Sequence, residues 1–211
     1  MPAVAFPHRI RLAPALAAGL SLLLSGCGHV PLTTMAKLRN FDIATADPSQ
    51  LRVAIRAPDW LEPREAGAAI LFKLKQGDEA AREERFALEP AEEPAETAQL
   101  AGHRLPGERI RAWRIAAAEV ARARAFQEEG RAARLARPGR TQFTVATALD
   151  GCRRGALREG PILTTTLLRT DAAAPYLPLL VDVDLRKVTR EAGKDLDAEL
   201  PACGKSAMRA G

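Results

Sequence analysis

The sequence predicts an α+β domain: a mostly antiparallel sheet of about six or seven strands with one substantial packed helix over about 116–136. Three observations carry this prediction. Segments with a two-residue alternation of apolar and polar side chains follow one another instead of alternating with helices. One segment, Ala116 to Ala136, abandons that period, is rich in alanine and is stopped by Pro138-Gly139. The two most β-prone runs, Ile162 to Arg169 and Leu177 to Leu185, flank a mid-length connection, Asp171 to Pro175, as in an antiparallel hairpin.

The elements follow in order. Asp47-Pro48-Ser49-Gln50 places a capping side chain before a proline, which suits a single helical turn. Leu51, Val53 and Ile55 alternate with Arg52 and Arg56 up to Pro58-Asp59, a half-buried strand. Ile70, Phe72 and Leu74 repeat the pattern against Lys73 and Lys75, and Gln76-Gly77-Asp78 marks the turn. Arg85 to Leu88 is a weaker strand, and Arg109 to Ile115 another with Trp113 and Ile115 inward. Between these two lies an acidic, proline-bearing segment, 89–96, which reads as a solvated loop. On the helix, Ala116, Val120, Ala123, Phe126 and Ala133 share a face that Glu119 interrupts. A mostly alanine face lets a helix approach a sheet closely but adds little stability alone. Phe143 and Val145 then alternate with Thr144 and Ala146, and Thr147 continues the first face. In the last strand Leu179, Val181 and Val183 should face inward, leaving Asp182 and Asp184 to water.

Chemistry is sparse. The 31 Lys and Arg against 26 Asp and Glu are interspersed, and aromatics stand singly, so the basic stripe with stacking platforms that nucleic acid requires is absent from the sequence. His103 is the one histidine beyond residue 29, next to Gly102 in a loop, with no Gly-x-Ser-x-Gly elbow to accompany it. No catalytic residue, metal ligand or cofactor is assigned. Asp182 and Asp184 are the best paired carboxylates, yet their spacing equally describes the wet side of a strand. Arg153-Arg154 could touch anionic headgroups, but two adjacent arginines give only about 1 kcal/mol each near such a surface.

The N-terminus is more specific. Arg9 and Arg11 precede an apolar stretch, Leu12 to Leu24, too short to span a bilayer as a mature helix. It ends in Leu24-Ser25-Gly26-Cys27, which resembles the lipobox of bacterial lipoproteins. The resemblance implies a signal peptide over 1–26, diacylglyceryl transfer to Cys27, palmitate-type acylation and a lipidated tether over 27–37 ahead of a single globular domain, 38–211. Each buried methylene of such chains contributes roughly 0.8 kcal/mol to membrane attachment. Gly28, where aspartate signals inner-membrane retention in that family, favours the periplasmic face of the outer membrane. Asn40-Phe41-Asp42 ahead of the Leu51–Arg56 strand also resembles envelope lipoproteins of proteobacteria, a likeness that implies no activity.

Export places Cys152 and Cys203 in an oxidising compartment, and neither has a Cys or His within three residues, so a disulfide is expected. Closing a loop of about 50 residues contributes roughly 4 kcal/mol in the chain-entropy view. The sequence thus points to a membrane-anchored, non-catalytic binding or structural module with an envelope partner. A carrier of apolar ligand or lipid and a carboxylate-dependent envelope hydrolase are the alternatives. It assigns no oligomeric state.

Overall fold

The computed structural model describes residues 42–204; the lipobox with Cys27, the tether and the expected domain start at 38–41 lie outside the described residues. Seven antiparallel strands form one curled sheet in the order β5-β2-β3-β4-β1-β6-β7. They are β1 (Arg52–Pro58), β2 (Leu61–Gln76), β3 (Arg82–Pro90), β4 (Glu108–Ile115), β5 (Thr141–Arg153), β6 (Leu163–Arg169) and β7 (Leu177–Asp184). Among the described residues four α-helices accompany them, α1 (Pro94–Leu100), α2 (Val120–Ala136), α3 (Leu185–Glu191) and α4 (Leu196–Glu199), with 3-10 turns at Ala101–His103 and Ala117–Glu119. Among the described residues no helix is long and apolar enough to cross a membrane.

The period-two reading puts the right side chains on the inner face. Val53, Ile70, Phe72, Leu74, Phe86, Leu88, Trp113, Ile115 and Leu168 are all buried in one cluster with Ala123 and Phe126 of α2. Four rings interlock there: Phe72 lies 5.0 Å from Phe86 and 5.6 Å from Phe143, and Phe126 lies 5.6 Å from Phe143. The small helix face has its expected consequence at Gly130, where an added Cβ would stand 2.5 Å from the Phe143 ring. Gln127, also buried, donates its amide to the carbonyls of Ile43 (2.6 Å) and Ala46 (2.9 Å) and so ties the N-terminal turn to α2. The next turn, Asp47 to Gln50, begins as expected, with the Asp47 carboxylate accepting from the Ser49 N–H.

Two expectations are corrected. The 89–96 segment is not a solvated loop throughout: β3 continues to Pro90, and Pro94 opens α1 at the position proline favours. Glu96 is buried, accepting from Arg169 Nη2 (2.5 Å), Tyr176 Oη (2.8 Å) and Arg52 Nε (3.2 Å). Burial first, then this hydrogen bond to a carboxylate, pushes the Tyr176 phenol well above its ordinary pKa. The network pins α1 on the outer face over Ala54, Ala112 and Leu167.

The second correction concerns β7. Its register against β6 shifts between Thr164 and Thr166 and again between Thr166 and Leu167, so strict alternation fails. Asp182 adopts φ +50° and is exposed as expected, held by Arg56 Nη2 (3.4 Å) and Thr165 Oγ1 (3.2 Å). Asp184 is half-buried instead: its carboxylate caps α3 by accepting from Arg186 N (3.0 Å) and also accepts from Ile162 N (3.0 Å). Leu179 packs on the main cluster, whereas Val183 faces a cavity that Leu180 also reaches.

Candidate functional site

The cavity arises because the sheet outruns its helix. The α2 helix covers the end of the inner face where the floor is aromatic. Toward the other end the floor narrows to Ile55 and Ala57 of β1, Thr164 and Thr166 of β6, and Thr147 and Gly151 of β5. β-Branched and small residues make good strand but fill little volume. Above them, α3 and α4 run from the β7 edge back to the β5 edge and contribute Leu185, Val188 and Leu196, with Leu200 at the end of α4. Between floor and roof remains a cavity of about 450 Å³, within the usual range for small-molecule sites.

The roof is fastened at its far end. Ala202 forms a parallel bridge with Arg153, whose N–H donates to the Pro201 carbonyl (2.9 Å), while the Cys203 N–H donates to the Arg153 carbonyl (2.9 Å). Cys152 and Cys203 stand at disulfide distance with Cα atoms 5.0 Å apart. The Arg153 guanidinium adds bonds to the Leu200 carbonyl (3.0 Å) and to Asp197 (2.8 Å). The pairing of the two cysteines thus anchors a C-terminal segment that is also the cover of the cavity.

One side of the cavity is charged. The β2–β3 ladder ends at Ala69, and β3 crosses to pair with β4 at Leu88–Pro90. The first residues of β2 and of β4 therefore flank a split in the sheet, bridged by side chains. Glu62, a cavity-lining residue, accepts from Arg111 Nη2 (2.8 Å), from Arg109 Nη1 (3.1 Å) and from Arg154 Nη2. Arg111 and Arg109 are the cross-strand partners of Ile55 and Ala57 on the cavity floor. At the opposite rim Lys194 pairs with Glu199 (3.4 Å).

The remaining sequence candidates do not converge on this site. Asp182 and Asp184 are spent separately, one on Arg56 and the other as a helix cap. His103 ends a 3-10 turn, Ala101–His103, and its carbonyl accepts from Arg56 (3.3 Å). Among the described residues no cluster of three His, Cys, Asp or Glu could hold a metal ion. Of the paired arginines, Arg153 serves the roof and Arg154 the Glu62 cluster. Glu62 carries no strand signal because Pro63 and Gly67 disguise the first half of β2, and Arg109 and Arg111 are legible only as polar positions of the Arg109–Ile115 strand, with nothing nearby in sequence to mark their carboxylate partner. Sequence reasoning also passed over Glu96, for which Pro94 after an acidic run was a usable helix-start signal.

No protein-family model matches the chain, and neither a curated protein nor a solved structure is significantly similar to it.

Proposed function

We propose that this chain is a lipid-anchored, non-catalytic binding module of the cell envelope, facing the periplasm, whose cavity takes an apolar ligand. The observation that carries the ligand reading is the roughly 450 Å³ cavity over the part of the sheet that α2 leaves uncovered, floored by small side chains and roofed by aliphatic ones. The anchor rests on Leu24-Ser25-Gly26-Cys27 and predicts that Cys27→Ser abolishes palmitate incorporation. For a carboxylate-dependent hydrolase, Asp182 and Asp184 each have a structural partner and do not flank the cavity together, and the cavity carboxylates Glu62 and Glu199 are both held in ion pairs, so the binding reading is the better supported.

The test is binding of a neutral apolar fluorophore, N-phenylnaphthylamine, to the full chain carrying Cys27→Ser. Saturable one-to-one binding is expected, weakened at least about tenfold by Val188→Trp, which sets an indole at the cavity mouth where Val188 is 47% exposed. Absent saturable binding, or equal affinity in the two proteins, would overturn the reading.

A further inference from the structure

We infer that the ligand is an anionic amphiphile, with its chain in the apolar cavity and its carboxylate or phosphate head on the guanidinium cluster of Arg109, Arg111 and Arg154; this rests on the cavity reading above. The cluster is unbalanced. Among the described residues, Glu62 is the one carboxylate within ion-pair range of all three arginines, so the group carries a net charge of about +2 at neutral pH. Each guanidinium has five N–H donors in a planar fork, and Glu62 engages one nitrogen of each, leaving further donor capacity on all three.

Other arginine clusters of the domain differ in one of two ways. Arg114 is matched by Glu89 and Glu93, and Arg82 with Arg122 by Glu84, Glu119 and Glu129. Arg52 and Arg169 outnumber Glu96 as well, but Arg169 and Glu96 are sealed from water and Tyr176 completes the set. At the split, Arg111, Arg109 and Arg154 are 31%, 36% and 55% exposed, so an incoming anion can reach them. Position supplies the rest: none of the three arginines lines the cavity directly, and Arg109 and Arg111 also border a shallow depression beside Ala91 and Leu100, but Glu62, which holds all three, does line it, and Arg111 and Arg109 pair across the ladder with the floor residues Ile55 and Ala57. A chain lying on that floor would therefore bring its head to the forked donors that suit carboxylate and phosphate. The opposite rim offers no such pull, because Lys194 and Glu199 offset each other.

Calorimetric titration of the Cys27→Ser full chain with dodecanoate, dodecanol, acetate and inorganic phosphate tests this. Dodecanoate should bind at least about tenfold more tightly than dodecanol, and the free anions far more weakly than either. Arg111→Gln and Arg154→Gln should each bring dodecanoate toward the dodecanol affinity while leaving dodecanol unchanged; Arg154, the most exposed of the three, keeps the test valid if Arg111→Gln fails to fold. Equal affinity for dodecanoate and dodecanol would overturn the anionic head while leaving the cavity reading intact. Acetate or phosphate binding as tightly as dodecanoate would overturn the amphiphile in favour of a small-anion site. Failure of both chain-bearing ligands to bind would overturn this inference together with the cavity reading.

Discussion

The two ends of the inner sheet face use the same strands and reach opposite outcomes. Under α2, Phe72, Phe86, Trp113 and Phe143 rise from the floor and meet Ala123, Phe126 and Gly130, so the layer closes without a large void. Under α3 and α4 the floor is Ile55, Ala57, Thr147, Thr164 and Thr166, and the layer stays open. Aromatic side chains each bury a large area, while alanine and threonine leave most of the interlayer volume to be filled from above. Where a seventeen-residue helix with a small face descends onto rings, the space is used. Where two short helices span it, held mainly at their ends, it is not. The difference teaches that floor size and roof attachment, more than strand pattern, separate core from cavity in this domain.

The largest test of this contrast concerns the roof. Replacing both Cys152 and Cys203 by serine should cost about 4 kcal/mol of stability. Limited proteolysis should then cleave first between Ala192 and Pro201 while α2 stays protected. Cleavage within α2 at the same rate would mean that the two ends unfold as one unit and the contrast fails.

A smaller effect sharpens it. Gly130→Ala should destabilise by about 1–3 kcal/mol, because the new methyl meets the Phe143 ring at 2.5 Å and well-packed cores resist added volume. Ala57→Val, which adds bulk to the cavity floor, should change stability by less than about 0.5 kcal/mol. Denaturant midpoints at constant slope measure both. Similar losses from the two substitutions would show that the cavity is as tightly packed as the aromatic end.

The smallest effect is electrostatic. Hydrogen bonds from Arg134, Arg124 and Arg82 hold Asp42, Asp47 and Glu84 below their ordinary carboxylate values. Groups with lowered folded-state values stabilise fully above their ordinary pKa and lose that contribution as pH falls through the lowered one. The α2 end should therefore loosen only below about pH 4, and by a fraction of a kcal/mol per pair because these pairs are partly exposed. Arg134→Gln should flatten the acid limb of the stability curve; an unchanged limb would remove Asp42 from the account.

Much of the fold is legible along the chain because it is local. Alternation at Leu51–Ile55, Ile70–Leu74 and Arg109–Ile115 names the inner face directly, and Pro138-Gly139 ends α2 within two residues of its last turn. The first half of β2 is hidden because Pro63 and Gly67 are ordinary strand breakers; there the ladder to β5 shifts register and an added Cβ on Gly67 would meet Asp150 at 2.4 Å. Asp184 departs from the two-residue alternation of β7 for a related reason. Period two presumes an unbroken ladder, and a bulge with Asp182 at positive φ breaks it.

The sequence by itself determined the α+β class, the antiparallel strand succession, one packed helix expected over about 116–136 (Val120–Ala136 in the fold, after a 3-10 turn at Ala117–Glu119), the inner faces of the Leu51–Ile55, Ile70–Leu74 and Arg109–Ile115 strands and the pairing expected of Cys152 with Cys203. Tertiary structure alone decided that Glu96 is a buried hub, that Asp184 caps a helix, that the C-terminal segment roofs a cavity, and that Arg109, Arg111 and Arg154 meet on Glu62. The physical reason is range. Periodicity and capping act over a few residues and leave their mark in order, whereas Glu62 and Arg154 are 92 positions apart and become neighbours only when the sheet curls.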